Sequence, residues 1–75
     1  MLDRISIDPA VYHGEACIRR LRIPVYLIVE LVAAGLSTPE ILAHYPDLES
    51  EDIKAALEYA AFLAREKTIP FQVAV

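Results

Sequence analysis

Features that stabilise many small proteins are scarce in this sequence. Only one of its 75 residues is a cysteine, Cys17, so no disulfide can form within the chain. His13, Cys17 and His44 are the only soft metal ligands. Their spacing matches no zinc motif, so neither a metal nor another cofactor is predicted. A chain this short buries only about 60–65% of its unfolded surface, so stability must come from tight helix packing or from a second chain.

Long apolar runs are also missing. Hydrophobic residues make up 56% of the chain, but the longest apolar segment, residues 23–34, is interrupted by Glu30 and followed by Gly35. It falls short of the roughly 18 residues of a membrane span. Asp3 and Arg4 follow the start with no apolar region after them, which is unlike a signal peptide. We therefore expect a cytoplasmic protein with no membrane contact, since a lone thiol is common in that reducing compartment.

Basic residues are too few for binding to polyanions through net charge alone, because the formal net charge is -4. The charges are unevenly distributed, however. Residues 1–22 carry four arginines and three acids, whereas residues 23–75 carry three basic residues and eight acids. Any contact with nucleic acid is therefore expected in the first third of the chain.

The apolar pattern predicts a short β ribbon followed by a buried helix. Polar and apolar residues alternate in residues 4–8, and residues 16–18 can return as a second strand. Such a pair of strands must lie on helices, because it is unstable alone. The next segment starts at Pro24, is apolar nearly all round and stops at Gly35, which is typical of a central helix with a glycine cap.

Two further helices are predicted after Gly35. Ser37 and Glu40 have the spacing of a capping box, and Pro46 ends the short helix that they begin. After a turn of about four residues, Ser50 is the expected N-cap of a longer helix that reaches about Arg65. A central, a short and a long helix in this order are typical of helix–turn–helix domains, although fold does not determine function.

A group of arginines precedes the first helix and is the strongest candidate for nucleic-acid contact. If residues 18–23 are extended, Arg20 and Arg22 share one face and Arg19 lies on the other. Arginine suits bidentate contact to phosphate or guanine. The alternative is a solvated loop, or ion pairs with the acid-rich helices.

The third helix is a weaker candidate for a recognition helix. Lys54 is the only basic residue in its first turns, where acidic side chains would meet DNA phosphates at a cost unless they point away. Those acids are Glu49, Glu51 and Asp52. The DNA-binding residues that we predict are Arg19, Arg20, Arg22 and Lys54.

Residues 67–75 are predicted to form an extended tail, separate from the predicted helical domain of residues 1–66. Pro70 excludes a helix, and the apolar side chains fall on one face of an extended chain. These predicted partner-binding residues are Ile69, Phe71, Val73 and Val75. The tail either folds back on the ribbon or adds as a strand to a second copy or another protein. We favour a partner, because so small a domain cannot hide these residues.

Catalysis is not predicted. Cys17 and His13 could pair as nucleophile and base, but no third group is placed to orient the histidine. Cysteine is also among the most buried residue types and behaves as a small hydrophobe. We therefore expect a binding module and not an enzyme.

Ordered segments between Arg4 and about Leu63 form a recognisable pattern. These are Arg4-Ile5-Ser6-Ile7-Asp8-Pro9, Gly14, Ile18-Arg19, Arg22-Ile23-Pro24-Val25, Ala33-Ala34-Gly35-Leu36-Ser37, Pro39-Glu40-Ile41-Leu42, Tyr45-Pro46-Asp47-Leu48 and Glu51-Asp52-Ile53-Lys54-Ala55-Ala56-Leu57. In these segments the chain resembles the bacterial and archaeal family catalogued as domain of unknown function four hundred thirty-three, which is regarded as antitoxin-like.

The resemblance implies a homeodomain-like helix–turn–helix fold, mainly α-helical, and a role in a toxin–antitoxin pair. The small protein would neutralise a nuclease toxin of the PIN type encoded beside it and would repress their shared promoter. Its expected partners are then the toxin and DNA, and symmetric operators favour a homodimer or higher oligomer. The alternative is a protein-interaction module or dimer scaffold that binds no DNA, which the acidic third helix suggests.

The sequence departs from the family pattern at two places. The family usually has Gly-Thr where this chain has Arg20-Leu21, and Lys-Pro where it has Glu15-Ala16. Loss of the first glycine is expected to change the turn geometry and whatever contact that loop makes in relatives. Arg20 could equally strengthen a contact with phosphate.

Overall fold

The computed structural model describes residues 2–66, which form three helices and a two-stranded antiparallel sheet near the N-terminus. This mainly helical architecture confirms the sequence prediction. The strands are β1 (Ile5–Ile7) and β2 (Ala16–Ile18), and the helices are α1 (Val25–Ala33), α2 (Thr38–His44) and α3 (Ser50–Glu66). The tail with Ile69, Phe71, Val73 and Val75 lies outside the described residues. No helix within residues 2–66 combines the length and apolar character needed to cross a bilayer.

The β ribbon has a well-defined register. Ile5 pairs with Ile18, and Ser6 pairs with Cys17. Opposed residues point to the same side of a two-stranded sheet, and successive residues point to opposite sides. The pair Ile5 and Ile18 packs on the helices, so Ser6 and Cys17 lie on the other face of the ribbon.

Helix α1 ends at a Schellman motif centred on the predicted glycine. Gly35 has a φ of +97°, a left-handed conformation that an L side chain rarely adopts. Its N–H donates to Val32 O at 3.0 Å, and the N–H of Leu36 donates to Leu31 O at 3.1 Å. These bonds satisfy carbonyls that the helix end leaves open.

The predicted capping box of α2 is confirmed. Ser37 Oγ accepts a hydrogen bond from the N–H of Glu40 at 3.3 Å, and Glu40 Oε1 accepts one from the N–H of Ser37 at 2.8 Å. Backbone and side chain thus fix the start of α2 from both directions.

The core lies where α1 packs along α3, with α2 and the ribbon closing it. It consists of the buried apolar residues Ile18, Val25, Ile28, Ile41, Leu48, Ile53 and Ala56. Helix α3 contributes its buried residues from its first half, and the half-buried Tyr59 packs against the core. It also begins at Ser50 and not after it, so the prediction of Ser50 as the N-cap is wrong. The carboxylate of Asp52 satisfies the helix start instead, accepting from the N–H of Glu49 at 2.8 Å.

Candidate functional site

Residues 19–22 form a tight turn, so an extended chain from residue 18 to 23, the condition under which Arg20 and Arg22 would share one face, is not met. The N–H of Ile18 donates to Ile23 O, and the N–H of Leu21 donates to Ile18 O, both at 2.9 Å. Arg19 and Arg22 have φ values of 48° and 60°, in the left-handed region. The alternation of faces expected for an extended chain therefore does not apply. We call residues 19–22 the arginine turn.

Two non-glycine residues in the left-handed region make this turn strained. Each such residue costs on the order of 1–3 kcal/mol and persists only where the surroundings hold it in place. The backbone of Arg19 is held by the ribbon, because its N–H donates to Arg4 O at 2.7 Å. Its side chain is held by α3.

The side chain of Arg19 is bound by a charge cluster around Asp52, whose carboxylate has no solvent exposure. Arg19 donates through Nε to Asp52 Oδ1 at 3.1 Å and through Nη2 to Asp52 Oδ2 at 2.7 Å. Arg4 Nη1 reaches Asp52 Oδ1 and Glu49 Oε1, each at 2.8 Å. Arg19 Nη2 also donates to Asp47 O at 3.0 Å. We call Arg4, Arg19, Glu49 and Asp52 the Asp52 cluster.

The cluster is charged at any physiological pH. Burial on its own raises the pKa of Asp52, but hydrogen bonds from Arg19, the Glu49 N–H and Arg4 outweigh it and hold the pKa at about 2. The hydrogen bonds to carboxylates in turn raise the pKa of both arginines, through Glu49 and Asp52 for Arg4 and through Asp52 for Arg19. The arginine turn is thus tied to α3 by a permanent ion pair.

The four residues predicted to contact DNA do not form one surface. Arg19 is directed into the Asp52 cluster. Arg20 and Arg22 are exposed, and neither has an ion pair or a side-chain hydrogen bond within residues 2–66. Lys54 is exposed too, but it follows Asp52 by two residues and so points about 200° round α3 from the side that meets the turn.

The acids at the start of α3 are arranged differently from one another. Asp52 is withdrawn into the protein, and Glu49 is paired with Arg4. Of these three acids, only Glu51 is exposed and has no ion pair with another described residue. Two of the three negative charges that oppose DNA binding are therefore compensated by arginines.

The pairing of Cys17 and His13 considered for catalysis gains no support from the geometry. The Cys17 thiol is 3% exposed and donates to Glu15 O at 3.6 Å. Burial raises the pKa of this thiol, and the negative charge of Glu15 raises it further. A protonated thiol is a weak nucleophile. In the described part of the chain no group of three His, Cys, Asp or Glu residues could hold a metal ion.

Large apolar side chains are exposed on α1 and α3. They are Tyr26, Leu57, Phe62 and Leu63, with 38–49% of their surface exposed. Tyr26 of α1 and Leu63 of α3 line one groove of about 430 Å³ between the two helices. Residues 61–66 of α3 are all exposed. We call Tyr26 and Leu63, with the groove that they line, the apolar face.

Fold and geometry define a small helical protein in which the first turn of α3 is tied to a basic turn, and the second half of the same helix helps to line an apolar groove. Residues 5–60 match the family model described as "Protein of unknown function (DUF433)", and the chain belongs to that family. The family expected from the resemblance is confirmed.

Two relatives show how the chain compares with other proteins. It is 36% identical over 56 residues to "Uncharacterized protein y4eO" of Sinorhizobium fredii, which covers 75% of this chain and 25% of that protein. It is also similar to the crystal structure of a DUF433 member protein from Anabaena variabilis, with a TM-score of 0.79 and 39% identity, over 85% of this chain and 63% of that one. The chain thus spans a quarter of the first relative and less than two thirds of the second.

Proposed function

We propose that this protein is a DNA-binding antitoxin of the cytoplasm that binds its partners and catalyses no reaction. In this proposal α2 and α3 form a homeodomain-like helix–turn–helix, and the arginine turn contacts DNA phosphates. The protein neutralises a PIN-like nuclease toxin and represses their shared promoter. The observation that carries the DNA contact is the exposure of Arg20 and Arg22 on a strained turn that the Asp52 cluster holds in place.

The strain of the turn supports a binding role. A chain gains nothing in stability from left-handed arginines, and backbone strain of this kind concentrates at functional sites. The Asp52 cluster fixes the backbone beside Arg20 and Arg22 before any ligand arrives. Binding then has to order only two side chains, which lowers its entropic cost.

The charges of the site also fit phosphate better than the sequence alone suggests. Asp52 and Glu49 are paired with Arg4 and Arg19, so the acids nearest the turn do not oppose an incoming phosphate with their full charge. Arg20 and Arg22 keep their donors available, and the guanidinium group suits phosphate oxygens. Such contacts position a protein on DNA without reading the sequence. Lys54 would contribute a separate contact from the other side of α3.

A salt titration of binding to the DNA upstream of the gene tests this role. Affinity should fall as salt rises, and the double variant Arg20→Ala/Arg22→Ala should reduce the slope of log affinity against log salt by about 2, since roughly one counterion is released per phosphate contact. Arg65→Ala removes the same kind of charge from an exposed site at the end of α3 and serves as the matched control. Salt-independent affinity, or an equal effect of Arg65→Ala, would contradict the proposal.

A second function, a protein-interaction module or dimer scaffold without DNA binding, is favoured by the apolar face. An exposed apolar groove of this kind is typical of interaction sites on small proteins. The same surface would take part in toxin binding if the first proposal is right. In both cases the tail residues Ile69, Phe71, Val73 and Val75 remain the predicted contacts with a partner or a second copy.

Co-expression with the product of the adjacent gene separates self-association from toxin binding. A chain lacking residues 68–75 should lose the neighbouring protein or its own oligomeric state, whichever the tail supports. A truncated chain that still co-purifies with its neighbour and keeps its oligomeric state would exclude the tail as the contact.

A further inference from the structure

A pocket of about 390 Å³ lies between the outer face of the ribbon and the arginine turn. Ser6 and Cys17, which are cross-strand partners on the face turned away from the core, line its ribbon side. Arg20 and Arg22 line the opposite side, and Ile7 and Asp8 complete the wall. Small-molecule sites usually occupy about 300–1,000 Å³, so this pocket suits a ligand at the small end of that range. We call it the arginine pocket.

The charged groups of the pocket leave it positive. Arg20 and Arg22 carry two positive charges and, within residues 2–66, no ion pair. Asp8 is the acid in the lining, and its Oδ1 already accepts a hydrogen bond from the N–H of Ala10 at 2.9 Å. The excess of one positive charge and the fork of donors on each guanidinium favour an anion that can accept several hydrogen bonds.

Much of the remaining lining is apolar. Pro9 and Val11 line the pocket beside Asp8, and Pro9 is exposed. The buried Cys17 thiol is protonated and uncharged. Covering Pro9 and Val11 with an apolar or aromatic group would remove exposed hydrocarbon from water. The pocket therefore combines an anion site with an apolar wall.

We propose that the arginine pocket binds a small phosphorylated molecule with an apolar or aromatic body, of the nucleoside monophosphate class. A phosphate monoester carries about -1.5 to -2 charges at neutral pH and so matches two arginines better than a single carboxylate does. Because the ligand and DNA would use Arg20 and Arg22 in turn, the ligand releases the protein from DNA. This last consequence rests on the proposed function, whereas the binding of the ligand does not.

Titration followed by amide NMR tests the pocket with three probes: a nucleoside monophosphate, the same nucleoside without phosphate, and inorganic phosphate. The monophosphate should shift the amide signals of residues 6–8 and 17–22 and bind at least tenfold more tightly than either other probe. Arg20→Ala and Arg22→Ala should each weaken its binding tenfold or more, whereas Arg65→Ala should leave it unchanged. Pro9→Glu should abolish binding by placing a negative charge at an exposed position of the lining.

Three results would overturn the proposal. They are the absence of shifts at residues 6–8 and 17–22, equal affinity for the monophosphate and the bare nucleoside, and unchanged affinity in Pro9→Glu. Adding the monophosphate to a protein–DNA complex distinguishes the two functions. Ligand binding without any DNA affinity would leave the pocket standing and remove the proposed function. DNA binding that the monophosphate does not disturb, together with no amide shifts at the pocket, would leave the proposed function standing and remove the arginine pocket as a ligand site.

Discussion

The two halves of α3 have opposite relations to the rest of the protein. In the first half, Asp52, Ile53, Ala55 and Ala56 are buried, whereas none of the described residues after Ala56 is buried. Tyr59 and Ala60 are half-buried, and Tyr59 still packs against the core. The part of the chain that matches the family model ends at residue 60. The contrast teaches that the buried contacts of this helix come from its first half. Beyond Ala60, the helix carries a surface that the rest of residues 2–66 leaves exposed.

The largest expected contrast comes from shortening one apolar side chain in each half. Ile53→Ala removes a buried side chain and leaves a cavity, so it should lower the free energy of unfolding by about 2–5 kcal/mol. Phe62→Ala truncates a larger side chain in the exposed half and should cost less than about 1 kcal/mol. Urea unfolding of both variants at low protein concentration measures the difference. Equal losses would break the division of α3 into two halves.

A smaller effect is expected from neutralising the buried carboxylate. Asp52→Asn leaves Arg4 and Arg19 without their shared anion and should cost about 3 kcal/mol, near the low end for broken buried pairs because both arginines are partly exposed. Glu51→Gln removes the neighbouring, exposed charge and should stay within about 0.5 kcal/mol. Thermal unfolding of the two variants shows whether the stability of the first turn of α3 depends on the buried ion pairs of Asp52 or only on the number of negative charges there.

The smallest of the three effects is a loss of stability in acid. The pKa of Asp52 is about 2 in the folded protein and 3.8 for an unperturbed group. Because the folded value is the lower one, the stabilisation is complete above about pH 4 and disappears as the pH falls through 2. A shift of nearly two units corresponds to about 2 kcal/mol. Urea unfolding between pH 5 and pH 2 should show this loss in the wild-type chain and a flatter profile in Asp52→Asn.

Local signals in the sequence were sufficient for most of the fold. The capping box at Ser37 and the glycine cap at Gly35 depend on residues a few positions apart, and both were predicted and confirmed. The ribbon followed from alternation alone. These features succeed because hydrogen bonding near a helix end, or the period of a strand, is decided within one short segment.

The arginine turn could not be predicted in the same way. Its conformation depends on Asp52, which lies 33 residues beyond Arg19, and on Arg4, which precedes the ribbon. Arg4 is not among the site residues that the sequence predicts. One signal did exist. Asp52 lies three and four residues before the buried Ala55 and Ala56, on the apolar stripe of α3, where a charged residue must have partners. The sequence marks the buried acid but not which arginines reach it.

The Asp52 cluster has a consequence for how the chain is made. Its ion pairs join residues 4 and 52, which are 48 positions apart. At about 5–20 residues per second, a ribosome needs roughly 2–10 s to add that stretch. Until then Arg4 and Arg19 cannot form their ion pairs with Asp52, and the strained turn lacks the side-chain contacts that stabilise it. The ribbon and its turn therefore lack a stabilising contact until a residue 48 positions beyond Arg4 has been added.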